Sequence, residues 1–196
     1  MTDLATAPTA PTDAPGWTVP TSLSPSRVES FLSCPLAFRF SSIEKLPDPP
    51  TVATTRGSLV HRALELLFTL PQAERTPAAL DRSLDRAILE YRELPDYTLL
   101  ALDADQAATF ERDCRELCAN YLKIEDPRTV REIGLELKLE APVGDLTLRG
   151  IIDRLELDAD GELVVTDYKT GRSPSPNWER KSLSGVHFYS FLCESV

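Results

Sequence analysis

The stretch from Leu146 to Lys169 constrains the fold more than any other part of this chain. Two apolar-rich runs, Leu146 to Leu157 and Glu162 to Lys169, flank Asp158-Ala159-Asp160-Gly161. That turn composition selects an antiparallel hairpin. A three-residue loop with Gly161 in the left-handed position sets Asp158 opposite Glu162. Opposed residues of an antiparallel pair share a constant sum of residue numbers, and Asp153 with Asp167 shares the sum of Asp158 with Glu162. The register therefore predicts these two carboxylates directly across from each other, with β-carbons roughly 4.5–5.5 Å apart. A slip of one residue would send them to opposite faces. Asp167 and Lys169, two apart on a strand, share a face.

Two carboxylates so close repel unless a proton or cation lies between them. Ile151, Ile152, Leu163, Val164 and Val165 surround the trio and mark a central sheet, where charges are rarely placed without partners. A hard divalent cation that takes oxygen ligands, Mg²⁺ or Mn²⁺, would resolve the conflict. The plainer alternative is that both aspartates end exposed strands and Lys169 neutralises them.

Upstream the pattern is helical. Ser24-Pro25 reads as an N-cap followed by proline at the first helical position. Pro35 divides the apolar stretch Arg27 to Phe40 into two short pieces. Prolines 47, 49 and 50 mark a loop, and helices are predicted over about 56–70, 78–92 and 103–123. After Pro127 the period changes. Ile133, Leu135, Leu137 and Leu139 alternate with Gly134, Glu136, Lys138 and Glu140, a half-buried strand; Glu136 on its polar face is a candidate to support the site, but that face is assigned to solvent. A final helix is expected to begin near Asn177. The order is helices, a three-strand antiparallel meander, and a helix.

Composition narrows the class. At 196 residues, 42% hydrophobic, the chain suits one domain with a sizeable core. No apolar run is long enough to span a membrane, and residues 1–21, rich in Ala, Thr and Pro, resemble neither a signal peptide nor a folded segment. They are expected to be a disordered tail on a cytoplasmic protein, with residues 22–196 as the domain. The net charge of −10 argues against a general phosphate-binding surface. A basic track would have to be local, from Arg149, Arg154, Lys169, Arg172, Arg180 and Lys181. Cys114 and Cys118, four apart in a helical pattern, read as buried small hydrophobes. There is no CxxC pair or Cys/His cluster for zinc, and no G-x-x-x-x-G-K-[ST] phosphate loop.

Gly150-Ile151-Ile152-Asp153-Arg154 followed by Val164-Val165-Thr166-Asp167-Tyr168-Lys169-Thr170-Gly171 resembles the paired GxxDR and (V)xDYKTG motifs of RecB-like nucleases, a branch of the PD-(D/E)XK superfamily. Gly57 to His61 resembles the family's G-x-x-x-H helix start, and Ser24 to Phe40, with Cys34-Pro35, resembles its opening helix. The resemblance implies an α/β fold, with a helical N-terminal part packed on a restriction-endonuclease-like mixed sheet. It also leads to the expectation that the chain is cut short at its C-terminus, lacking the last strand or strands of that core. It implies a metal-dependent DNA exonuclease of repair or recombination, with DNA as substrate and a helicase or repair complex as partner. The rival reading is a non-catalytic DNA-binding module or an inactive fragment.

Residue by residue, the resemblance makes Asp153 and Asp167 metal ligands for Mg²⁺ or Mn²⁺, joined by the backbone carbonyl of Tyr168 and by His61. Lys169 would position or help deprotonate the attacking water and stabilise charge on the phosphate. Tyr189 resembles the tyrosine of a later Q-x-x-x-Y helix and would meet substrate, although Gly185 stands where the glutamine belongs. Cys34 matches the first ligand of a [4Fe–4S] cluster found in some members, one that only a longer form could complete.

Overall fold

The computed structural model describes residues 17–171 and 184–195. The fold is mixed α/β, a helical layer packed on a four-stranded sheet. Ser24 caps α1 (Pro25–Ser33) by accepting the Arg27 N–H, and Pro35 restarts the chain as α2 (Pro35–Phe38), which runs into a π-helical turn, Arg39–Ile43. α3 (Val52–Phe68) begins four residues before the expected start. The reason is a reciprocal capping box between Thr51 and Thr54 that satisfies the first free N–H groups. α4 (Pro77–Arg92) is capped by Thr76, and α6 (Ala104–Ile124) by an Asp103–Gln106 box. Between them lies a short α5 (Pro95–Thr98), which the hydrophobic pattern does not reveal.

α3, α4 and α6 bury the main core. Leu59, Leu64, Leu67, Leu80, Leu84 and Phe110 are almost fully enclosed, each contributing about 1.5–3 kcal/mol. Cys114 and Cys118 are buried there as expected, and burial pushes both thiols up to about 12, so they stay protonated. Arg75 ties this layer to the sheet. Its buried guanidinium pairs with Glu132 and donates to the carbonyls of Phe68, Leu70 and Val130.

The sheet is built around β3 (Leu146–Leu157). β2 (Glu132–Val143) covers one edge antiparallel, from Val143↔Leu146 to Glu132↔Glu156. The other edge is shared. β1 (Ser22–Leu23) pairs parallel with Thr147 and Leu148, and β4 (Leu163–Thr166) pairs antiparallel with Arg154 to Leu157. The stretch of β3 between these two partners, Arg149 to Asp153, is where the chemistry-bearing residues gather. Two strand expectations need correction. A bulge between Glu132 and Gly134 throws Ile133 out of the ladder, so it is exposed rather than facing the core. β4 stops at Thr166 and does not reach Lys169. The last helix, α7 (Ser184–Glu194), packs on the sheet through Leu192; the expected start near Asn177 lies outside the described residues. Among the described residues, no helix is long and apolar enough to cross a membrane.

Candidate metal centre

α3 brings His61 to the sheet. Gly57 permits the approach, because a β-carbon there would stand 3.0 Å from Thr170 Oγ1 in the loop after β4. His61 follows four residues later on the same helix face. Its Nε2–H donates to the Tyr168 carbonyl at 2.8 Å, and its Nδ1 lies 3.4 Å from Asp153 Oδ1.

The hairpin register is the one the turn dictates. Leu157 opposes Leu163 and Arg154 opposes Thr166, with Gly161 at φ +86°. Beyond that pair the ladder ends. Where Asp167 would have completed the next rung, the Asp153 carboxylate instead accepts the Tyr168 N–H at 2.7 Å. Asp167 Oδ2 pairs with Lys169 Nζ at 2.6 Å, the lysine largely exposed and the aspartate largely covered.

The third side chain to meet His61 and Asp153 is Glu136. One donor atom from each of the three lies within 4.8 Å of the others, and no other such cluster occurs among the described residues. The polar face of β2 at this position therefore looks into the site, not to solvent. Glu136 sits at φ +46°, a left-handed conformation that is strained for a residue with a β-carbon. The register is continuous across this residue, with Leu135↔Arg154 on one side and Leu137↔Ile152 on the other, so Glu136 lies level with Asp153 while its neighbour Leu135 packs against the helical core.

The electrostatics fit a cation site. Burial, then the nearby Asp153 and Glu65 carboxylates, push the Glu136 carboxyl above its ordinary value. Burial lowers the His61 imidazole, but the Asp153 carboxylate, the Tyr168 carbonyl and Glu136 outweigh it and raise the net value. Two carboxylates and an imidazole, their donor atoms within 4.8 Å of one another, form a donor set suited to a small divalent cation.

Arg154, expected on a surface basic track, is instead 1% exposed. It pairs with Glu125 and Glu156 and donates to Tyr168 Oη at 2.9 Å. Glu125 carries no local sequence signal and is brought in by long-range packing, whereas Glu136, a candidate from the strand pattern, arrives through the β2–β3 pairing. Of the other basic residues, Arg149 and Lys138 line an open cavity of about 720 Å³ beside Asp167, Lys169, Gly185 and Tyr189. Arg172, Arg180 and Lys181 lie outside the described residues. Tyr189 rests against Gly150, where a β-carbon would come within 2.6 Å of its ring. Burial, then Asp167, Asp153 and Glu136, push its phenol up to about 12, so it is a neutral donor. Cys34 is exposed at the junction of α1 and α2.

A family model of the PD-(D/E)XK nuclease superfamily matches residues 22–196. The chain belongs to that superfamily. Asp153, Asp167 and Lys169 follow the D…D-x-K order that gives PD-(D/E)XK nucleases their name. Among curated proteins, the chain is similar to one component of the ATP-dependent helicase/deoxyribonuclease of Streptococcus mutans. The two are 26% identical over 163 residues, which cover 79% of this chain but 14% of the relative. That likeness supports the RecB-like branch of the PD-(D/E)XK nucleases.

Proposed function

We propose that this PD-(D/E)XK domain is a metal-dependent deoxyribonuclease that removes nucleotides from DNA ends during repair or recombination. The observation that carries the reading is the convergence of His61, Glu136 and Asp153 beside the Tyr168 carbonyl. These groups, with the second carboxylate oxygen of Asp167, would hold Mg²⁺ or Mn²⁺. Such an ion supplies Lewis-acid polarisation of the phosphodiester and offsets the charge of the carboxylates.

The remaining work falls to the protein. Lys169, extended into the cavity, donates to a non-bridging phosphate oxygen and stabilises the charge that grows as water attacks phosphorus. Asp167 holds that ammonium in place through the 2.6 Å ion pair. The water oxygen bonds to phosphorus as the P–O ester bond breaks, and the proton the water gives up passes through solvent to the departing oxygen. Tyr189 and Arg149 offer the strand a donor and a cation along the cavity. The name of the Streptococcus mutans relative supports a helicase as partner, with this chain supplying the cutting function. A module that only bound DNA would have no use for a half-buried carboxylate pair beside a histidine.

The test is digestion of end-labelled linear DNA and of covalently closed circular DNA, single- and double-stranded, with Mg²⁺, Mn²⁺ or EDTA. The proposal expects metal-dependent loss of linear DNA and survival of circles. Cutting of circles would make it an endonuclease, and no cutting of any substrate would overturn the nuclease reading.

A further inference from the structure

We propose that Arg154 is a positioning residue for the metal centre, acting through the side chain of Tyr168. The inference rests on the metal-site reading above and concerns how the core holds that site in shape. Tyr168 carries both of its backbone groups into the centre. Its N–H goes to Asp153 at 2.7 Å and its carbonyl receives His61 Nε2–H at 2.8 Å. Yet pairing between β3 and β4 ends at Thr166, so the ladder does not fix the peptide that both contacts need.

The side chain supplies the anchor. Tyr168 Oη accepts Arg154 Nη1–H at 2.9 Å, and its ring stands edge-on to Tyr121 of α6, centroids 5.9 Å apart. Arg154 is itself held on every side. Its Nη1 and Nη2 fork onto Glu125 at 2.5 and 3.0 Å, and Nη2 also reaches Thr166 Oγ1 at 3.2 Å. The Phe68 ring of α3 lies 4.7 Å from the guanidinium carbon. Nε sits 2.7 Å from Glu156 Oε2, an ion pair without an aligned hydrogen bond. One dipeptide of β3 thus does two things. Asp153 enters the metal centre, and Arg154 turns into the core to grip the residue that Asp153 binds. Only a planar guanidinium can meet Glu125, Thr166 and Tyr168 at once; a lysine offers one point charge.

The chief variant is Tyr168→Phe, which deletes one hydroxyl and keeps the ring packing, with Arg154→Lys as the second. Three readouts apply to the intact chain: amide hydrogen exchange at position 168 without metal, the Mn²⁺ midpoint for binding, and single-turnover cleavage against Mn²⁺. Groups that orient a metal ligand usually matter by about 10–100-fold, so both variants should raise the Mn²⁺ midpoint roughly tenfold. Exchange at position 168 should quicken, and saturating Mn²⁺ should restore cleavage, which a general loss of folding would not allow. Unchanged exchange and an unchanged Mn²⁺ midpoint in Tyr168→Phe would overturn the proposal, even if Arg154→Lys unfolds. Should the wild type hold no Mn²⁺ while exchange still quickens, the metal reading falls and the anchor stands. Should neither respond, both fall.

Discussion

Replacing Glu136 with glutamine should push stability and metal binding in opposite directions. Donor atoms of Glu136, Asp153 and His61 lie within 4.8 Å of one another. At that separation two carboxylates repel by about 3–4 kcal/mol at an effective dielectric of 20. Both groups are partly open to water, and screening brings the recoverable amount down to about 1 kcal/mol. The Glu136→Gln protein should therefore be more stable than the parent when metal is absent. For a chain of this size about 1 kcal/mol raises the melting midpoint by roughly 2–4 °C. The same substitution removes a charged donor, so Mn²⁺ affinity should fall by about tenfold or more. Melting in EDTA followed by calorimetric Mn²⁺ titration measures both signs on one preparation. A lower melting midpoint in EDTA, or an unaltered Mn²⁺ affinity, would refute the placing of Glu136 in the cation site.

Other expectations follow from the same geometry. Lys169→Met should leave Mn²⁺ and DNA binding nearly intact but slow single-turnover cleavage of labelled DNA about 100-fold, the scale of losing one charge-stabilising donor. Gly150→Ala should drive its β-carbon into the Tyr189 ring and Leu192 and cost about 1–3 kcal/mol in urea unfolding, with Tyr189→Ala restoring most of it. Acid should weaken the fold through Glu125: burial works against its ionisation, but the Arg154 guanidinium wins and holds it below the ordinary 4.5. A depressed carboxyl contributes stability that is present above 4.5 and lost as pH falls through the lower folded value, so Glu125→Gln should flatten that acid limb of the urea midpoint.

The hairpin is legible in the sequence because its information is local. Asp158 to Gly161 determine the turn, the turn determines the register, and Arg154↔Thr166 is the pair that register demands. What ends β4 early is not local. His61, carried by a helix far earlier in the chain, and Asp153 capture the Tyr168 peptide, and that capture competes with the next rung of the ladder. Glu136 shows the other limit. Strand alternation puts it on the polar face, but whether that face meets water or a helix depends on where α3 packs. A left-handed backbone at a glutamate gives no sign in the sequence. Arg154 reads as surface charge because its partners Glu125 and Tyr168 come from elements far along the chain. β1, two residues long and parallel to β3, lies below what any periodicity can reveal.

The most direct test of the central claim is calorimetric Mn²⁺ titration of the wild type and of Asp153→Ala. Asp153 lies within reach of His61 and Glu136 and takes the Tyr168 N–H, so it is the residue on which the whole centre closes. The account predicts Mn²⁺ binding by the wild type and a loss of about 1–3 kcal/mol or more in the variant, the scale of a charged group's interaction. Equal affinity in the two proteins would contradict it.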